Sequence, residues 1–183
     1  VIIGPNGAGK TTLFRAMLGL VPFEGIIEKS KSSRLAYIPQ NFTVPADMPL
    51  TVKEFFELKT KDKDVICEAL RAVGMHKDEH HLHHHVLSKR IGVLSGGERQ
   101  KVSIAWALCD NPDILFFDEP TAGIDLGGEE TIYELLKHIR DKRGITIIMI
   151  SHELNVVYQY ADSVICLNRK MICQGPPQAV LNP

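Results

Sequence analysis

Short apolar runs punctuate the chain: Val1 to Ile3, Ile26 to Glu28, Leu35 to Ile38, Ile114 to Phe117, Thr146 to Ile150, Val164 to Leu167 and Met171 to Gln174. Each has the length of a strand, and those flanked by helical stretches predict buried strands. The helical stretches are equally legible. One opens at the glycine-rich residues after Ile3 and runs to about Leu20, where Pro22 and Gly25 close it. Others are expected over Thr51 to Leu58, over Val65 to Val73 with Gly74 as the stop, from about Gly96 to Cys109, from about Gly128 to Lys142, and near Glu153 to Ala161. Thr51 with Glu54, and Ser95 with Glu98, are capping boxes that fix two of the helix starts. Strand and helix alternate, so the pattern predicts an α/β fold with a doubly wound, mainly parallel sheet, ending in a hairpin turned by Asn168-Arg169-Lys170. The stretch 41–94 departs from the alternation: a loop punctuated by Pro45 and Pro49 leads into two helices. It reads as a small helical subdomain inside one domain spanning residues 1–183.

Composition narrows the classes without choosing among them. A chain of 183 residues with 44% hydrophobic content can bury one core. Lys and Arg number 21 against 22 Asp and Glu, a net charge of −1, so the basic surplus of a nucleic-acid binder is missing and no such partner is expected. The longest apolar runs fall well short of the roughly 18 residues of a membrane span, so any membrane path belongs to another subunit. Cys67, Cys109, Cys166 and Cys173 form no C-x-x-C pair and read as reduced core thiols of a cytosolic protein. Cys166 and Cys173 would face each other across the final hairpin, which leaves a disulfide or a two-thiolate metal site as the lesser alternative. Val1-Ile2-Ile3 reads as the end of a buried strand with no initiator methionine, so further residues are expected upstream.

Gly4-Pro5-Asn6-Gly7-Ala8-Gly9-Lys10-Thr11-Thr12 carries the first chemistry. It has the P-loop spacing G-x-x-x-x-G-K-T, in the required place between a strand end and a helix start. Glycines at 4, 7 and 9 allow backbone N–H groups to converge on phosphate oxygens, where the helix start adds partial positive charge. Lys10 is expected on the β- and γ-phosphates. One cation at 4 Å contributes about 4 kcal/mol at an effective dielectric of 20, too little to balance a triphosphate, so Mg²⁺ is implied, with Thr11 as a ligand. Asp118 and Glu119 end an apolar strand at the carboxyl edge of the sheet, where ligands of such folds bind. Asp118 is the expected holder of Mg²⁺.

A second glycine-rich helix start stands at Leu94-Ser95-Gly96-Gly97-Glu98-Arg99-Gln100. The P-loop and this motif together resemble the ATP-binding cassette (ABC) family, whose nucleotides lie between two subunits. The resemblance covers essentially the whole chain and implies a P-loop NTPase fold whose first antiparallel strands, with the aromatic residue that stacks on adenine, would lie upstream of Val1. It implies that ATP and Mg²⁺ are the cofactors, and that Glu119 orients and polarises the attacking water. His152 matches the family's switch histidine on the γ-phosphate. Gln40, in Tyr37-Ile38-Pro39-Gln40, matches the Q-loop glutamine that touches Mg²⁺ and the lytic water. Asp125 matches the D-loop aspartate at the dimer seam. Ser95, Gly96 and Gly97, with Glu98 and Gln100, would contact the nucleotide held by a second copy of the chain, so that ATP acts as glue.

Met48-Pro49-Leu50-Thr51-Val52-Lys53-Glu54-Phe55-Phe56 and the segment Ile165 to Gly175 resemble metal-importer ATPases, zinc importers above all. That implies a peripheral protein on the cytoplasmic face of the cell membrane, partnered by an integral membrane permease and an extracytoplasmic metal-binding protein. Manganese or iron import is the alternative, as is a non-transport regulatory module that clamps on ATP. Phe42, Val44, Phe55 and Phe56 would either line a groove for a helix of the membrane subunit or pack within the helical subdomain. His76, His80, His81, His83, His84 and His85 form a dense patch. In an α-helix the pairs 76/80, 80/84 and 81/85 would stand one turn apart, a spacing able to bind Zn²⁺, but the reading preferred is a solvated polar connection.

Overall fold

The computed structural model describes residues 1–30, 32–40, 42, 44–75, 82–120 and 126–181. In chain order the elements are β1 (Ile2–Ile3), α1 (Lys10–Met17), β2 (Leu35–Ile38), α2 (Val52–Glu57), α3 (Lys63–Ala72), α4 (Gly96–Leu108), β3 (Ile114–Asp118), α5 (Leu126–Arg143), β4 (Thr146–Ile150), α6 (Leu154–Tyr160), β5 (Val164–Asn168), β6 (Lys170–Gly175) and α7 (Pro177–Val180). The strands form one sheet in the order β2-β3-β4-β1-β5-β6. Neighbours pair in parallel except β6, which runs antiparallel to β5.

Register places the chemistry. Ile38 lies opposite Phe117, Asp118 opposite Ile150, and Ile2 opposite Ile150, so the carboxyl ends of β2, β3, β4 and β1 meet at one edge. The segments that leave that edge are those carrying Gln40, Glu119, His152 and the P-loop. The pleat sorts the core in the same way. Leu115 and Phe117 face the larger apolar cluster with α3, α4 and α5, while Phe116 faces the other side with Ile2, Ile150 and Phe14 of α1. Phe14 meets Phe116 edge to face at 5.1 Å, which pins the P-loop helix to the sheet beneath it.

Thr51 caps α2 and Ser95 caps α4 through complete capping boxes with Glu54 and Glu98. The two starts are tied together: Val52 N–H donates to the Lys89 carbonyl, Ile91 N–H to the Leu50 carbonyl, and Lys89 pairs with Glu98 at 2.9 Å. Gly92 sits in the same seam, where a Cβ would come within 2.4 Å of the Pro45 carbonyl oxygen. The segment leaving Gln40 is thereby seated against the turn that leads into Ser95.

Two expectations need correction. Ile26 to Glu28 is not a strand, and Ile26 is 87% exposed; a two-residue apolar run has nothing to pair with among the described residues. Cys166 and Cys173 are direct cross-strand partners in β5 and β6, with Cα atoms 4.9 Å apart, and form a disulfide in place of the expected reduced thiols. Cys67 and Cys109 remain thiols, and burial pushes the pKa of Cys109 up to about 11, so it stays protonated and unreactive.

The histidine segment is described only from Leu82, where Leu82–Leu87 forms a π-helical turn whose period does not match the α-helical spacing of the proposed imidazole pairs. His76, His80 and His81 lie outside the described residues, as does the side chain of His84, and His85 is exposed. Among the described residues no group of three or more metal-binding side chains is present. Phe56 is fully buried and Phe55 stacks on Trp106 at 5.4 Å, so these two pack within the helical region; Phe42 lies against Phe55 at 5.3 Å and is partly buried with Val44.

Candidate functional site

Residues 6–12 wrap the start of α1 and, with Gln40, Glu119 and His152, line a cavity of about 620 Å³. That volume lies within the range of small-molecule sites. The loop conformation depends on its glycines: Gly7 and Gly9 sit at φ +77° and +92°, in the left-handed region. Gly4 is needed for another reason. A Cβ there would stand 2.0 Å from the Leu167 carbonyl oxygen of β5, while Arg169 N–H, at the hairpin turn, donates to Ala8 carbonyl at 3.0 Å. The C-terminal hairpin therefore braces the loop from outside.

The start of α1 is left open to an anion. Gly9 at its N-cap offers no side-chain acceptor and the first turn has no acidic residue, so its first N–H groups lack the usual internal partners. Lys10 is buried, and its ammonium donates to the carbonyls of Gly4 at 2.7 Å and Pro5 at 3.1 Å. A phosphate entering the loop offers this ammonium stronger, charged acceptors in the same place.

The carboxylates stand opposite. Asp118 is 2% exposed; its Oδ2 lies 3.5 Å from the Tyr37 hydroxyl, and its Oδ1 makes no hydrogen bond among the described residues. An orphaned oxygen on a buried carboxylate is costly unless a cation or its water completes it, and with Thr11 in the same region the donor set is all oxygen, as Mg²⁺ requires. The residues fit that ion. Glu119 adopts φ +49°, uncommon for a residue with a side chain, and its N–H donates to Ile150 carbonyl at 3.1 Å, which fixes the bend that turns its carboxylate into the cavity. Gln40 donates its amide N–H to Glu119 Oε2, and His152 Nδ1 lies 4.0 Å from the same oxygen. Gln40, Glu119 and His152 thus come together from three strand ends.

The second motif is elsewhere. Ser95 to Gly97, with Glu98 and Gln100, do not line this cavity. Ser95 Oγ accepts from Glu98 N–H, and the Glu98 carboxylate accepts in return from Ser95 N–H and from Lys89. The Lys89 ammonium, then the Ser95 N–H, hold the Glu98 carboxyl below its usual range. Asp125 lies outside the described residues. Reading the sequence alone missed Tyr37, which stands three residues before Gln40 and carries no motif of its own.

The chain resembles known proteins along almost its whole length. The model of the ABC transporter family matches residues 1–122. A zinc import ATP-binding protein of Pseudomonas entomophila is 40% identical over 99% of this chain and 68% of its own length. The one from Buchnera aphidicola subsp. Baizongia pistaciae is 42% identical over 98% of this chain and 73% of its own. Among solved structures, the inward-facing conformation of a metal-chelate-type ABC transporter superposes with a TM-score of 0.83 at 25% identity, over 99% of this chain and 72% of the other. A dimeric bacterial ABC transporter cassette, 24% identical with a TM-score of 0.74, covers 96% of this chain and 84% of its own, and shares the fold.

Proposed function

The chain belongs to the ABC transporter family, as an ATP-hydrolysing subunit, and from that premise we propose that it powers zinc import across the cytoplasmic membrane. The observation that carries the ATPase reading is the convergence of the P-loop, Gln40, Glu119 and His152 on one cavity. Zinc as cargo is supported by the zinc-import relatives that align with almost the whole chain.

N–H groups of residues 6–12 bind the β- and γ-phosphates, and Lys10 exchanges the Gly4 and Pro5 carbonyls for phosphate oxygens. Thr11, Asp118 and Gln40 hold Mg²⁺, which when bound offsets phosphate charge. Glu119 accepts a hydrogen bond from the attacking water and aims it along the line of displacement. Gln40 fixes the Glu119 carboxylate, and His152 contacts the γ-phosphate from the end of β4. Ser95, Gly96 and Gly97, with Glu98 and Gln100 on the same helix start, bind the γ-phosphate held by a second copy. No described helix is long and apolar enough to cross a membrane; an integral permease forms the path, with the cassette pair on its cytoplasmic face and an extracytoplasmic protein delivering the metal.

Reconstitution of the full protein with its membrane partner tests this reading. ATP-driven uptake of Zn²⁺ in preference to Mn²⁺ or Fe²⁺ is expected, and Glu119→Gln should lower turnover at least about 100-fold. Preference for another metal would overturn the cargo. Turnover that survives the substitution would overturn the role of Glu119.

A further inference from the structure

Tyr37 is half-buried on β2, directly opposite Phe116 of β3. Phe116 and Asp118 are two apart on β3 and so share a face, which makes Tyr37 and Asp118 diagonal neighbours across the strand pair, within reach of a long side chain. The phenol oxygen lies 3.5 Å from Asp118 Oδ2, at the long limit of a hydrogen bond, and such contacts commonly tighten when a site is loaded. Asp118 keeps its other oxygen without a partner among the described residues. The phenol hydroxyl is a donor, and it faces an oxygen that can only accept. Arg15 stands one helical turn beyond Thr11 on α1 and acts electrostatically on the Tyr37 phenol.

We propose that Tyr37 is a positioning residue for the nucleotide-bound cation: its hydroxyl occupies Oδ2 of Asp118, fixing the carboxylate so that Oδ1 is the oxygen presented to Mg²⁺ or its water. This rests on the reading of Asp118 as the magnesium carboxylate, and it adds a residue that neither the P-loop nor the strand-end acids reveal. Partners that orient a metal-holding carboxylate from behind are commonly worth 10- to 100-fold in metal affinity.

Tyr37→Phe removes one oxygen and keeps the ring that packs beside Phe116, so the fold has no reason to change; unfolding without ligand verifies that. ATP binding is measured with the full protein in excess chelator, then during titration with Mg²⁺. The variant should bind ATP as the wild type does in chelator, yet need about 10-fold more Mg²⁺ for half of the metal-dependent tightening. An equal loss with and without Mg²⁺ would overturn the proposal, because it would mark Tyr37 as a prop for the P-loop through Arg15. An unchanged Mg²⁺ requirement would overturn it too. The wild-type titration separates the underlying reading: if Mg²⁺ does not tighten its ATP binding, Asp118 is not the magnesium carboxylate and both fall.

Discussion

At Gly4 a single hydrogen in place of a methyl group decides whether the P-loop and the C-terminal hairpin can meet. A Cβ at this position would approach within 2.0 Å of a backbone oxygen, which cannot rotate away, and φ is +155°. Gly4→Ala should therefore cost about 2 kcal/mol or more of stability and weaken ATP binding, because relief requires the loop to leave Leu167 and break the Arg169 to Ala8 hydrogen bond. Urea unfolding and ATP titration of the variant check both effects; unchanged values would show that the hairpin does not brace the loop. The site was legible in the sequence wherever a motif fixed both residue type and spacing, as at Gly4 to Thr12 and at Asp118-Glu119. Tyr37 was not, because its contact with Asp118 depends on which strands lie side by side, and no local pattern encodes that neighbour. The bond from Gln40 to Glu119 likewise joins residues 79 positions apart.

Among the elements, the helix that starts at Ser95 shows how a cap can serve two ends. Its capping box satisfies otherwise open N–H groups and, through Lys89, ties the start to the strand-like contact between residues 50–52 and 89–91. Ser95→Ala should lower stability by about 1 kcal/mol at neutral pH. Because the folded Glu98 carboxyl titrates below its unfolded counterpart, its contribution is complete above the ordinary value of 4.5 and is lost as pH falls through the depressed folded value. Unfolding followed from pH 7 downward should show that loss setting in below 4.5 in both proteins, while a Ser95→Ala protein as stable as the wild type would contradict the capping role. Element boundaries followed from the sequence where caps and stops agree: Thr51, Ser95 and Gly74, the last at φ +70°, mark ends within a residue or two of those expected. Ile26 to Glu28 failed because strandness is a property of pairs. The hairpin's disulfide lay open for a related reason: spacing brought Cys166 opposite Cys173, but the compartment argument favoured reduced thiols.

At the scale of the whole molecule the two glycine-rich motifs stand apart. Its P-loop cavity holds three groups suited to hydrolysis, while the second glycine-rich helix start lies apart from it with its own N–H groups available beyond the capped ones. Under the function proposed, two copies placed head to tail would give each cavity the motif it lacks, so that ATP would close the pair and hydrolysis would release it. Such coupling would turn a local reaction into motion that a membrane partner could use. Sedimentation of the full-length Glu119→Gln protein at saturating ATP and Mg²⁺ tests this most directly. A dimer that forms with ATP, and dissociates when Ser95 and Gly96 are also replaced, is the predicted result; a protein that stays monomeric at saturating ATP would contradict it.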